Sequence, residues 1–164
     1  MLFNLVGFNS SWFGLILLGD MFIPMALLWL VLHLYWCKHI QAEVKLVSAI
    51  VLIGALVDTI LLSAGILIFP NHQYSPLWLI TLWAAFAATI AHSLQFLKHS
   101  KLLQATMGFV FPPLSYLAGA SLSLVELGYS QLTTYFMLAI IWSVLMVLFF
   151  KLKDIFYGQV SSHA

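Results

Sequence analysis

Lys45 to Phe69 reads KLVSAIVLIGALVDTILLSAGILIF, an apolar run interrupted by a single acid, Asp58. About 20 apolar residues in a helix cross the ~30 Å hydrocarbon core of a bilayer, so this stretch is long enough to span one. Counting at 1.5 Å per residue puts Asp58 about 20 Å from the Lys45 end and about 17 Å from Phe69, at the midplane. A lone carboxylate there costs roughly 2.5–3.5 kcal/mol on insertion scales, so it is expected to face a partner, a cavity or a ligand.

The rest of the chain is expected to be scaffold around such a helix. Of its 164 residues, 63% are apolar and only 7% are charged. Soluble domains carry about 25% charged residues, so this chain cannot cover a water-facing surface, and the lipid bilayer is the expected solvent. Six lysines and no arginine, each beside an apolar run, form no basic face, so nucleic acid is not an expected partner. The start, MLFNLVGFNSSWFGLILLGD, lacks a positive region and a cleavage site, so it reads as a retained first helix. Cys37 is the only cysteine, which rules out an internal disulfide. It is read as a small apolar residue near a helix end, a juxtamembrane lipidation site being the alternative.

Six spans follow, at about 2–19, 21–37, 45–69, 76–97, 102–124 and 132–150, giving an all-α bundle in a single domain covering residues 1–164. The connections are tight and make successive helices antiparallel. Lys38 and Lys45 follow the second span, Lys98 and Lys101 the fourth, Lys151 and Lys153 the sixth; the other loops have none. Positive residues stay in the cytoplasm, so both termini are expected there. Asp20 is placed to cap the second helix. Pro70 is expected to end the third helix and Pro76 to start the fourth.

Several polar residues are candidates for a site. In the fourth span Thr81, Ala85, Thr89, His92, Ser93 and Phe96 share one helical face, which suits either close helix packing or a polar lining. His92 can shuttle a proton or simply satisfy a neighbour's carbonyl. Antiparallel helices would leave it roughly 10 Å from Asp58 in height, so a direct bond would need a water, a tilt or another group. Pro112 and Pro113 are expected to kink or break the fifth span, with Ser115, Tyr116 or water serving the freed carbonyls. A broken span beside a buried acid is an arrangement that transporter sites use. Thr89 or Tyr116 could hydrogen-bond Asp58, and Glu126 lies at the outer end of the fifth span. His33 and His39, six apart, fall on different helix faces and form no recognised metal motif, so neither a metal nor a cofactor is expected.

The pattern Gly54-x-x-x-Asp58, the run Trp83-x-x-Phe86-x-x-Thr89-x-x-x-Ser93-Leu94, and Pro113-Leu114-x-Tyr116-x-x-Gly119 followed by Glu126-Leu127 resemble a family of small bacterial inner-membrane proteins filed as domain of unknown function 2878. Pro112 departs from that pattern, which would have glycine. The resemblance implies a multi-pass protein of the bacterial inner membrane and agrees with six helices; it implies no activity.

Three functions stay open. The first is binding or transport of a small or lipid-like ligand at Asp58, with Thr89, His92, Ser93, Tyr116 and Glu126 as further candidates. The second is an intramembrane enzyme acting on a lipid through Asp58 and His92. The third is a partner subunit or assembly factor, in a homo-oligomer or with another membrane protein. Asp58 as a neutral structural acid is the bland alternative.

Overall fold

A computed structural model describes residues 2–70, 72 and 74–161. The fold is all-α, and the described residues form six α-helices: α1 (Leu2–Leu18), α2 (Ile23–Tyr35), α3 (Ile40–Ser63), α4 (Leu77–Ile90), α5 (Lys101–Ser121) and α6 (Gln131–Ser161). Two short strands, β1 (Leu67–Ile68) and β2 (Glu126–Leu127), join them. Among the described residues three helical stretches are long and apolar enough to cross a membrane: Leu2–Tyr35, Ile40–Ser63 and Gln131–Gln159. Leu77–Ile90 is a shorter apolar helix. On α3, Leu52, Leu56 and Ile60 are 71%, 61% and 57% exposed. Spaced by four, they form one apolar stripe of the kind that needs a non-aqueous cover.

The chain divides into two compact units, residues 1–55, 77–96 and 151–164 in one and 56–76 and 97–150 in the other. In the first, Leu2–Tyr35 folds back on itself. Gly19 takes φ +57°, a conformation that glycine reaches without a Cβ penalty, and a 3-10 turn over Gly19–Phe22 reverses the chain. Phe3 stacks edge-on against Trp36, with ring centroids 4.9 Å apart, Gly7 lies against the Trp29 indole, and Gly14 against Phe22. The two legs are therefore antiparallel, as the tight Gly19-Asp20 connection suggests. Helix α4 packs on both. Its run from Trp83 to Ile90, rich in alanine, is buried apart from the partly covered Phe86. Small side chains let neighbouring helices approach this closely.

Asp20 caps a helix other than the expected one. Its carboxylate accepts the N–H of Trp78, in the first turn of α4, at 3.1 Å, while α2 has no side-chain cap. The turn that reverses α1 into α2 thus satisfies a distant helix terminus, where unpaired N–H groups and the positive dipole end favour a carboxylate.

In the second unit, α3 stops at Ser63, short of the expected end at Phe69. Gly65, at φ +66°, donates to the Leu62 carbonyl at 3.0 Å, and Ile66 N–H reaches back to Leu61 at 2.9 Å. This is a Schellman ending, and the apolar residues beyond it leave the helix to form β1. Helix α5 ends in the same way: Ser123 takes φ 59° and Leu124 N–H reaches Gly119 at 3.0 Å. The strands that follow pair antiparallel, Leu67 with Leu127 and Ile68 with Glu126.

Helix α5 is continuous through Pro112 and Pro113, where a kink or break is expected from the sequence. Pro113 removes the N–H that would bond the Phe109 carbonyl four residues earlier. Tyr135 of α6 supplies the replacement, its hydroxyl donating to that carbonyl at 3.2 Å. Ser143 donates to Ala105 at 3.1 Å, and Gly108 sits so close to the Trp142 carbonyl that a Cβ would collide with it. The partner of the Phe109 carbonyl thus comes from another helix, α6.

Candidate functional site

The polar cluster of the first unit assembles around Glu43. This residue lies in the first turn of α3, where a carboxylate meets the positive end of the helix dipole, and it is fully buried. His33, two residues before the end of α2, is also buried, and its Nε2 lies 2.9 Å from Glu43 Oε1. The His92 Nε2 lies 3.4 Å from the same oxygen. Tyr157, near the end of α6, donates its hydroxyl to Oε2. Among the described residues the ion-pair partners of Glu43 are these two imidazoles, with no lysine. A buried carboxylate that accepts several hydrogen bonds regains much of the solvation it loses.

The chain places His92 by ending α4 early. The sequence suggests a helix to residue 97; the helix stops at Ile90, and a turn over Ala91–Leu94 carries His92 and Ser93. His92 N–H bonds Thr89 instead of Ala88, and Leu94 N–H also bonds Thr89. Asn4, on α1, fills the gap. Its Nδ2 donates to the Ala88 carbonyl at 2.8 Å, and its Oδ1 accepts the Ser93 N–H at 3.3 Å. One carboxamide therefore stands in for the helical bonds that the break removes. Both contacts fix the amide's orientation, which leaves Nδ2 facing His33 Nδ1 at 3.4 Å. That contact is long for a hydrogen bond, so the tautomer of His33 follows mainly from its short bond to Glu43: Nε2 carries the hydrogen and donates it.

Asn4→Ala is expected to destabilise the protein by about 1–3 kcal/mol, the cost of leaving buried backbone groups unpaired. Faster hydrogen exchange at the Ser93 amide would accompany it; unchanged exchange there would refute the bridging role.

Cys37 lies in the short connection between α2 and α3, its sulfur 4.0 Å from His92 Nε2. Burial pushes its thiol up, so it stays protonated at neutral pH. One potential ligand atom from each of His33, Glu43 and His92 lies within 4.8 Å of the other two. The arrangement offers two chemistries: a carboxylate–imidazole pair that holds a proton, and a two-nitrogen, one-oxygen set that can hold a metal ion.

The other sequence candidates are placed elsewhere. Asp58 is fully buried in the second unit and accepts the Tyr116 hydroxyl at 2.6 Å. Of the two partners considered for it, Tyr116 is one; Thr89 bonds the Phe86 carbonyl of its own helix at 2.6 Å. Glu126 is exposed on β2. Of the residues singled out from sequence as site candidates, only His92 and Ser93 belong to the Glu43 cluster, Ser93 through its backbone.

A family profile described as "Protein of unknown function (DUF2878)" matches residues 1–148. The chain belongs to the DUF2878 family. The matched region contains Asn4, His33, Glu43 and His92 and ends before Tyr157. No curated protein and no solved structure matches the chain.

Proposed function

We propose that this DUF2878 protein is a multi-pass protein of the bacterial inner membrane, both termini cytoplasmic, that binds or transports a small cation at Glu43. The observation that carries the reading is a fully buried carboxylate whose ion-pair partners are two imidazoles. A fixed partner such as lysine would neutralise the acid permanently. Imidazoles can be neutral, and leave a negative site that a cation can fill. The six-to-zero lysine distribution supports the orientation and puts the Glu43 end of α3 at the cytoplasmic side. The Asp58–Tyr116 pair is then a structural tie between α3 and α5 rather than the ligand site.

The test is thermal unfolding of the purified chain in detergent, against a panel of acid, Na+, K+, Mg2+, Ca2+, Mn2+ and Zn2+. A cation at 100 times its Kd stabilises a protein by about 2.7 kcal/mol. At least one member of the panel is expected to raise the unfolding temperature of wild type and not of Glu43→Gln. Identical responses of the two proteins would remove Glu43 as the binding group.

A second reading, acid–base chemistry on a lipid, is favoured by one feature. The His92 side chain is 29% exposed beside a carboxylate that is not exposed at all, so it can relay a proton from outside. Lipid extracts of a deletion strain that match wild type in every class would exclude it.

A further inference from the structure

We propose that His33, Glu43 and His92 form a binding site for one first-row divalent transition metal ion of the zinc type. This rests on the reading of Glu43 as a cation site and names the class of cation. The ligand atoms come from α2, the first turn of α3 and the turn after α4, and each residue offers one. Two separations are 2.9 and 3.4 Å. Ligands about 2.05 Å from a tetrahedral zinc lie about 3.3 Å apart. The His92–Glu43 separation already matches, the His33–Glu43 separation needs to widen slightly, and the two histidines lie within 4.8 Å of each other.

The donor types select the metal. Calcium takes six to eight oxygens and magnesium keeps an octahedron of oxygens, whereas two imidazole nitrogens and one carboxylate oxygen suit zinc, iron, cobalt or manganese. Three protein ligands with a further open position is the arrangement of a site that also accepts water or a substrate.

Two further groups lie beside the ligands. The Tyr157 hydroxyl bonds the second Glu43 oxygen, and the Cys37 sulfur is 4.0 Å from His92 Nε2, near the spacing of nitrogen and sulfur around one zinc. The way in is at His92, whose side chain is 29% exposed against 5% for His33 and 0% for Glu43. Metal binding through His33 Nε2 moves the hydrogen that this atom shares with Glu43 to Nδ1. Asn4 opposes that only weakly, because its amide is 3.4 Å away.

The probe is Co2+, titrated into the chelator-treated full chain in detergent. Saturation at one ion per chain is expected, with the strong visible absorption of a four- or five-coordinate cobalt. His92→Ala, at the most exposed ligand, is expected to weaken binding by roughly 100-fold or more, at least the loss seen when a supporting residue of a metal site is removed. Glu43→Gln, which keeps the side chain's volume, is expected to do the same. Absence of one-equivalent uptake, or uptake unchanged in both variants, would overturn the assignment. If Co2+ does not bind while acid or an alkali ion still gives a Glu43-dependent shift in unfolding temperature, the metal assignment falls and the cation reading stands. If nothing gives such a shift, both fall.

Discussion

Glu43→Ala is expected to lower the stability of the protein by about 3–5 kcal/mol, the range found when one partner of a buried ion pair is removed. The carboxylate is fully buried and takes hydrogen bonds from His33 and Tyr157. Truncation leaves those donors facing a cavity, and each unsatisfied buried group costs about 1–3 kcal/mol. Glu43→Gln keeps the volume and one acceptor oxygen, so its loss should be smaller, about 1–3 kcal/mol. The order wild type, Gln, Ala in unfolding free energy separates lost hydrogen bonding from lost packing. A Glu43→Ala protein within about 0.5 kcal/mol of wild type, the spread of neutral surface changes, would mean that the cluster contributes nothing to the fold. Joint replacement by apolar residues, His33→Leu with Glu43→Leu and Tyr157→Phe, should cost far less than Glu43→Ala, because a fully apolar core is often as stable as a satisfied ion pair. Stability without cation response in that triple variant would mark the polar residues as present for function.

Tyr116→Phe is expected to cost about 1–3 kcal/mol, the range for removing one partner of a buried polar group, because the Asp58 carboxyl loses the phenol 2.6 Å away. The infrared band of that carboxyl should shift in the variant. The cation response should persist, since it depends on Glu43. Loss of the response in Tyr116→Phe, with Glu43→Gln still responding, would return the site to Asp58, the position that sequence reasoning favours.

Much of the helical scaffold was legible because its signals are local. Apolar runs gave the helices, the Gly19-Asp20 pair gave the first reversal, and Pro76 marked the start of α4 at Leu77. Boundaries were legible where a single residue carried the signal and the flanking pattern agreed with it. At Gly65 they disagreed. The glycine marks a helix ending, but the apolar residues Ile66 to Phe69 continue the pattern of a span, and only the pairing of β1 with β2 accounts for them. Tyr116 could be named as a partner for Asp58, because a phenol on the fifth helix is one of few donors in an apolar chain.

The Glu43 cluster was less legible, although one signal for it lay in the lysines. Lys38 and Lys45 flank the turn from α2 into α3, Lys98 and Lys101 lie between α4 and the start of α5, and Lys151 and Lys153 lie toward the end of α6. His33, Glu43, His92 and Tyr157 are therefore all close to lysines in sequence. Nothing local marks Glu43, because an acid two residues from Lys45 in a short loop reads as solvated.

The sequence alone therefore determined an all-α, lipid-suited chain with its lysines grouped after every second apolar run, since composition and period act residue by residue. Tertiary structure decided which polar residues meet. Asn4 ends α4 from 84 residues away, Tyr135 carries α5 across its prolines, and His33 and His92 converge on Glu43. Each is a hydrogen bond between groups whose separation is fixed only when helices pack, and no periodicity encodes that distance.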